Sequence, residues 1–331
     1  MKAYLTLDYE LFMGSEVGTI NNCLIKPMDA LTKMLDKYQI KCNIFVDAAY
    51  LLRLYQLKDN KEVEEQFQLV TRHVSSLSEQ GHAIQFHFHP QWLYSKYEKG
   101  WIMDYDHYKI SDMPLDDIRT LIPQAIELLQ SYSRTKLTAF RAGGYSFPNE
   151  PYFLDILRKY EIHIDTSVLK GAKVKSKYQS YNYSQLPVNA PYRFDKGLCV
   201  EDQNGYFIEY PISTISMIGY KYLFLKKDLA KSYDNIIGQG LFGDGKGIGL
   251  AGSVFSRVYY KIKRLITPSI ISATIDGVFS LYLDNVYNYY SANERNKAFV
   301  IIGHPKNISL KSIGIFENFI TNHPNIKFAL L

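Results

Sequence analysis

Cysteine is scarce in this chain: Cys23, Cys42 and Cys199 are the only three in 331 residues, far apart and without a C-x-x-C pair. That pattern reads as buried free thiols in a reducing compartment and argues against a disulfide framework. Long apolar runs are also missing. No stretch of 18 apolar residues occurs in the sequence, so no spanning helix is expected. The opening MKAYLTLDYE turns acidic without an apolar stretch, which predicts no signal peptide and a cytoplasmic protein. Nor is there a strong excess of one charge. Lys and Arg number 38 against 33 Asp and Glu, and the net charge is +5. This is too slight for a nucleic-acid binder, although it favours an anionic partner such as a phosphorylated carrier or an acidic membrane surface.

What is present is apolar and aromatic: 47% of residues are hydrophobic and 15% aromatic, enough to bury a large core. The stretch that organises the chain is GHAIQFHFHPQW, Gly81 to Trp92. It reads as a buried strand ending in histidines. His87 and His89 are two apart, so an extended backbone sends both imidazoles from one face, together with Gln85. Such a pair can bind a borderline divalent metal, or it can be two hydrogen-bonded histidines in a loop. Pro90 ends the strand and Trp92 offers an apolar wall.

Before this stretch, Ala3–Leu7 is a first strand closed by Asp8-Tyr9-Glu10, with Asp8 and Glu10 on one face. A helix is predicted near Lys26 to Tyr38, with Pro27 in its first turn, then a strand at Cys42 to Val46 and a helix over Glu62 to Gln80 capped by Gly81. After the histidines, Tyr94 to Met113 has no period and is expected to be a long loop over the site. Helix Asp116–Ser131, strand Leu137–Phe140 delivering Arg141, helix Asn149–Tyr160 and a strand Ile162–Ile164 ending at Asp165 continue the alternation. Repeated strand–helix units predict a parallel α/β architecture, either a barrel or a doubly wound sheet. Asp8, His87, Arg141 and Asp165 each stand just after a different strand, which favours the barrel. Two strands around PYRFD and GYFIEYP follow. A tyrosine-rich, mostly helical insertion is expected over about 220–296. Strand Phe299–Ile302 then hands on Gly303-His304-Pro305, and helix Leu310–Thr321 and a short strand Ile326–Leu330 close a single domain spanning 1–331.

Carboxylates, imidazoles and an arginine gathered at strand ends are the ingredients of a hydrolytic metal site. The motifs LTLDYE, HAIQFHFHP, FRAGGYSF and IIGHPKN resemble, in order and placement, those of the polysaccharide deacetylases, carbohydrate esterase family 4. The resemblance covers nearly all of the chain except about 220–296. It implies an α/β fold, a distorted (β/α) barrel with a divalent metal, usually zinc. It also implies roles: Asp8 as catalytic base, Glu10 as a metal carboxylate, His87 as the first metal histidine, Arg141 as the group that orients the base, Asp165 as a supporting acid, and His304 as proton donor to the leaving amine. The implied substrate is an N-acetylated sugar or polysaccharide precursor, with Trp92, Trp101 and Tyr145 as candidate stacking surfaces. Two departures stand out. Tyr9 separates acids that are adjacent in the usual motif, and Gln91 occupies the place of the usual second histidine, four after the first. His89 then completes a set of Glu10, His87 and His89, or the ion is held weakly or not at all, as in a non-catalytic sugar-binding relative.

Other signals are discounted. GQGLFG, Gly238 to Gly243, and GLFGDGKG, Gly240 to Gly247, follow no convincing strand and read as flexible loop. FSRVYYKIKRLI, Phe255 to Ile266, could give weak membrane-surface association but reads more simply as a surface helix. His73, His82, His107 and His163 are expected to be ordinary core or surface histidines.

Overall fold

The computed structural model describes residues 1–148, 150–187, 190–217, 242–247, 268–293 and 296–331. Its frame is a nine-stranded sheet made of β1 (Lys2–Tyr9), β2 (Asn43–Asp47), β3 (Ala83–Phe88), β4 (Ala139–Ala142), β5 (Ile164–Asp165), β6 (Tyr192–Phe194), β7 (Phe207–Glu209), β8 (Ala298–Gly303) and β9 (Lys327–Phe328). The order is β6-β7-β5-β4-β3-β2-β1-β8, with β9 beside the start of β1. Every pairing is parallel except β6 with β7. β2, β3 and β8 are buried along their whole length, and β1 from Ala3 onward. Strands covered on both faces read as continuous apolar runs, which is why runs rather than alternation mark them in the sequence.

The sheet curls, and an irregular segment just past β7 joins its two ends. Ile212 N donates to Val168 O at 2.8 Å, and Ser213 N donates to Val300 O at 3.1 Å. Ser213 Oγ accepts from Val300 N at 3.0 Å. The expected distorted (β/α) barrel is therefore the observed architecture, with one seam closed by isolated bonds rather than by a ladder.

Helices α1 (Lys26–Asp36), α2 (Ala48–Gln56), α3 (Lys61–Glu79), α4 (Leu115–Gln130), α5 (Pro151–Lys159), α6 (Leu283–Ser291) and α7 (Leu310–Asn322) are the longer helices of the described residues. In α1 the buried residues include Met28, Leu31, Met34 and Leu35, the spacing that predicted it. α3 starts on Asn60, whose side chain accepts from Glu62 N and Val63 N, and ends before Gly81, which takes φ +90°. Helix α2 is absent from the sequence reading. It follows β2 without a loop, and its only start signal is Asp47, whose carboxylate accepts from Tyr50 N at 3.4 Å.

Two expectations are corrected here. The stretch Tyr94 to Met113 is not all loop: it holds a small hairpin of Lys96–Tyr97 with Trp101–Ile102 and a 3-10 turn at Ile110–Asp112. Strand β4 is shifted two residues onward from Leu137–Phe140, so Arg141 sits inside the ladder, opposite His87. Most of the predicted insertion lies outside the described residues, as do Phe255 to Ile266 and most of Gly238 to Gly243. Its described part is not only helical, since Ser269–Ser272 pairs antiparallel with Thr214–Met217. No helix among the described residues is long and apolar enough to cross a membrane.

Candidate active site

The register of the parallel strands assembles the site. Asp47, His87 and Arg141 are neighbours on one rung across β2, β3 and β4. Asp8 lies near the end of β1, and His304 directly follows β8. All are at the C-terminal ends, where side chains can converge on one mouth.

Arg141 is fully buried and fully bonded. Its Nη1 donates to Asp8 Oδ1 at 2.5 Å, Nη2 to Thr6 Oγ1 at 2.8 Å and Thr166 Oγ1 at 3.1 Å, and Nε to Thr166 O at 2.9 Å. A guanidinium held at four points fixes the Asp8 carboxylate in place. Two residues on, Glu10 faces the histidines. Its Oε2 is 3.0 Å from His87 Nε2 and 2.6 Å from His89 Nε2. Burial pushes Glu10 up, but Lys306 and the two imidazoles outweigh burial and hold it well below the usual carboxylate range. His87 moves the other way: burial lowers it, and Asp8 and Glu10 raise it further than burial lowers it.

Glu10, His87 and His89 place one ligand atom each within 4.8 Å of one another, all buried. The donor set suits zinc or a similar divalent ion, which accepts nitrogen and carboxylate oxygen. His87 Nδ1 lies 2.8 Å from Arg141 O and donates to it, which leaves Nε2 as the nitrogen turned to the cavity. His89 is held by its backbone, whose N donates to Asp47 Oδ1 at 3.2 Å. A side chain at Gly143 would come within 2.8 Å of His89 Nδ1, so this imidazole needs the glycine. Gln91, at the place of the usual second histidine, is buried in the turn Gln91–Tyr94 and does not line the cavity.

On the far side stands His304. Its Nε2 is 3.5 Å from Asp8 Oδ2, and its Nδ1 is 2.6 Å from Asp276 Oδ2. Asp276 Oδ1 also accepts from His304 N at 2.7 Å. Burial lowers this imidazole, but Asp276, with Asp8 and Glu10 adding to it, outweighs burial and raises it to about 9, so it carries a proton at neutral pH.

These groups open into a cavity of about 500 Å³ lined by Asp8, Glu10, His87, His89, Tyr145 and His304, with Tyr108, Tyr178 and Lys306 among the other walls. Tyr145 is where the sequence reading put it. Trp92 is not: it is fully buried, packed 4.5 Å from Tyr50 and 5.1 Å from Trp101 between ring centroids, and absent from the lining. The turn that follows Pro90 points it into the core, so it cannot stack on a sugar. Trp101 packs there too. Asp165 also lies outside the cavity. Its carboxylate accepts from Ser167 N at 2.9 Å and Ser167 Oγ at 2.8 Å, and Ser167 Oγ in turn accepts from Ala142 N at 2.8 Å. Asp165 thus reaches the site through the backbone beside Arg141 and through the charge of Arg141.

Sequence reasoning missed Lys306 and Asp276. Lys306 is two residues past His304 on the same turn, which was a usable signal. Asp276 offered none. Tyr9, between the two acids, points outward instead: its hydroxyl is 2.8 Å from His73 Nδ1, whose Nε2 is 3.2 Å from Asp29 Oδ1.

No protein-family model matches the chain, and no curated protein does. Solved structures do. A protein of Mycobacterium smegmatis assigned to the polysaccharide deacetylases superposes with a TM-score of 0.50 at 12% identity, over 97% of this chain and 82% of that one. The Puue allantoinase gives 0.48 at 11% identity, over 99% and 87%. A mutant of a carbohydrate esterase family 4 pseudoenzyme with restored activity gives 0.39 at 10%, over 100% and 65%. The chain has the fold of the polysaccharide deacetylases.

Proposed function

We propose that the protein is a metal-dependent hydrolase that removes an N-acetyl group from a sugar. The observation that carries this reading is the convergence of Glu10, His87 and His89 within 4.8 Å of one another, in the same cavity as Asp8 and His304. Glu10, His87 and His89 would hold the ion; bound there, it supplies Lewis acidity that polarises an acyl carbonyl and makes water more acidic. Asp8, fixed by Arg141, accepts the proton of the attacking water. His304, kept as an imidazolium by Asp276, donates a proton to the departing amine. The two catalytic groups face each other 3.5 Å apart, with Arg141 bonded to Asp8 and Asp276 bonded to His304. Tyr108, Tyr145 and Tyr178 supply rings for a sugar face.

The free thiols Cys23, Cys42 and Cys199 support a biosynthetic intermediate in a reducing compartment as substrate rather than finished wall polymer. The test is acetate release from N-acetylhexosamine donors by metal-replete protein, with Asp8→Asn and His304→Gln as inactive controls. Release from wild type that both variants lose supports the reading. A wild type that holds less than about a tenth of an equivalent of metal, and gains nothing on adding zinc, sinks it.

A further inference from the structure

We infer that Lys306 is a resident cation of the metal site, one that holds an oxygen of Glu10 and makes the site take a divalent ion against its own ammonium. The inference rests on the assignment of Glu10, His87 and His89 as ligands. Lys306 stands on the turn Pro305–Asn307, two residues past His304. Its side chain is 9% exposed. The ammonium lies 5.1 Å from the centroid of the Phe12 ring and donates to Glu10 Oε1 at 2.9 Å and to Leu11 O at 2.8 Å. The two oxygens of Glu10 are thereby divided: Oε2 faces the imidazoles and Oε1 faces the lysine.

Two consequences follow from charge and geometry. With Oε1 tied to the ammonium, Glu10 would offer the ion chiefly Oε2, the oxygen that already faces the imidazoles. The ligand set also loses its net charge. Glu10 alone would bring one negative charge to a dication, and Lys306 cancels it at hydrogen-bond distance, in a buried site where screening is weak. Preorganisation by the lysine is a smaller influence, because both imidazoles already hold Glu10. The ammonium therefore weakens the site and makes its ion exchangeable. A lysine that merely ties the turn to β1 would contribute fold stability and leave ion affinity alone.

The experiment measures Zn²⁺ and Co²⁺ dissociation constants of chelator-stripped protein by competition with a chromophoric chelator, with no substrate present. Lys306→Met keeps the length without the charge, and Lys306→Gln keeps a donor for Leu11 O. Lys306→Arg keeps the charge, and urea unfolding reports whether each variant is folded. Removal of the charge is expected to tighten binding by about tenfold or more, and the arginine variant to stay within about threefold of wild type. The Co²⁺ spectrum should shift in the Met and Gln variants as the second oxygen of Glu10 becomes available. Equal or weaker binding in folded Met or Gln variants overturns the inference and leaves the ligand assignment standing. Absence of binding in wild type and variants alike removes both.

Discussion

Two pairs of acids stand at strand ends in this barrel, in opposite surroundings. Asp8 and Glu10, at the end of β1, each face a cation: Arg141 at 2.5 Å and Lys306 at 2.9 Å. Asp165 and Glu209 are opposite each other on β5 and β7, both buried, and face one another. Burial raises both of the second pair, Glu209 well above the usual carboxylate range with Asp165 adding to it. Glu10 is therefore held charged, and Glu209 is held toward its protonated form. A carboxylate at a strand end is not by itself a functional acid; the cation placed beside it decides.

The sharpest way to break this contrast is Arg141→Met, which leaves Asp8 buried without its cation. Urea denaturation should show a loss of about 3–5 kcal/mol, and a loss under 1 kcal/mol would mean that Asp8 does not depend on the guanidinium. Glu10→Gln keeps the shape but removes the charge the ion needs. Zn²⁺ affinity measured by chelator competition should fall by about a hundredfold or more, and the urea midpoint should fall as well because the buried Lys306 ammonium loses its carboxylate. Asp276→Asn tests the third charged pairing. His304, followed by proton NMR in chelator-treated protein, should titrate well below about 9 in the variant. The sign is fixed: the folded imidazole is raised, so its stabilising contribution is complete below the ordinary histidine value and is lost as pH rises through about 9 in the wild type.

The smallest effect belongs to Glu209 of the second pair. The folded carboxyl of Glu209 is raised, so its contribution is complete below 4.5 and is lost as pH climbs through the folded value. Glu209→Gln imitates the protonated form at every pH. It should be more stable than wild type at pH 8 by about 1 kcal/mol and show a flatter stability curve across the neutral range. A steeper curve would mean that Glu209 is ionised in the fold.

The sequence made much of this site legible, because its parts obey local rules. Apolar runs located β1, β3 and β8, and the two-residue period put Asp8 with Glu10 and His87 with His89. What escaped has no local rule. Asp276 meets His304 across 28 residues of sequence, through the return of the chain beside β8, and no period links them. Lys306 looks like any surface lysine until the turn after β8 folds its stem over Phe12. Helix α2 was hidden because its apolar residues continue the run of β2 and only Asp47 marks the boundary. Trp92 misled for the opposite reason. A large ring beside the histidines suggests a wall, yet a single helical turn is enough to rotate it into the core.

The separation of the two acids by Tyr9 has a further implication. Adding one residue between a base and a ligand on an extended strand returns the ligand to the inner face and carries it outward; two positions span roughly 7 Å. Gln91, on the turn after β3, is buried and does not line the cavity. Glu10 is within reach of an imidazole at the strand's own tip, where His89 stands 2.6 Å from it. The two irregularities thus meet at one place: Glu10 pairs with the imidazole at the tip of β3, and Gln91→His would put an imidazole outside the cavity lining.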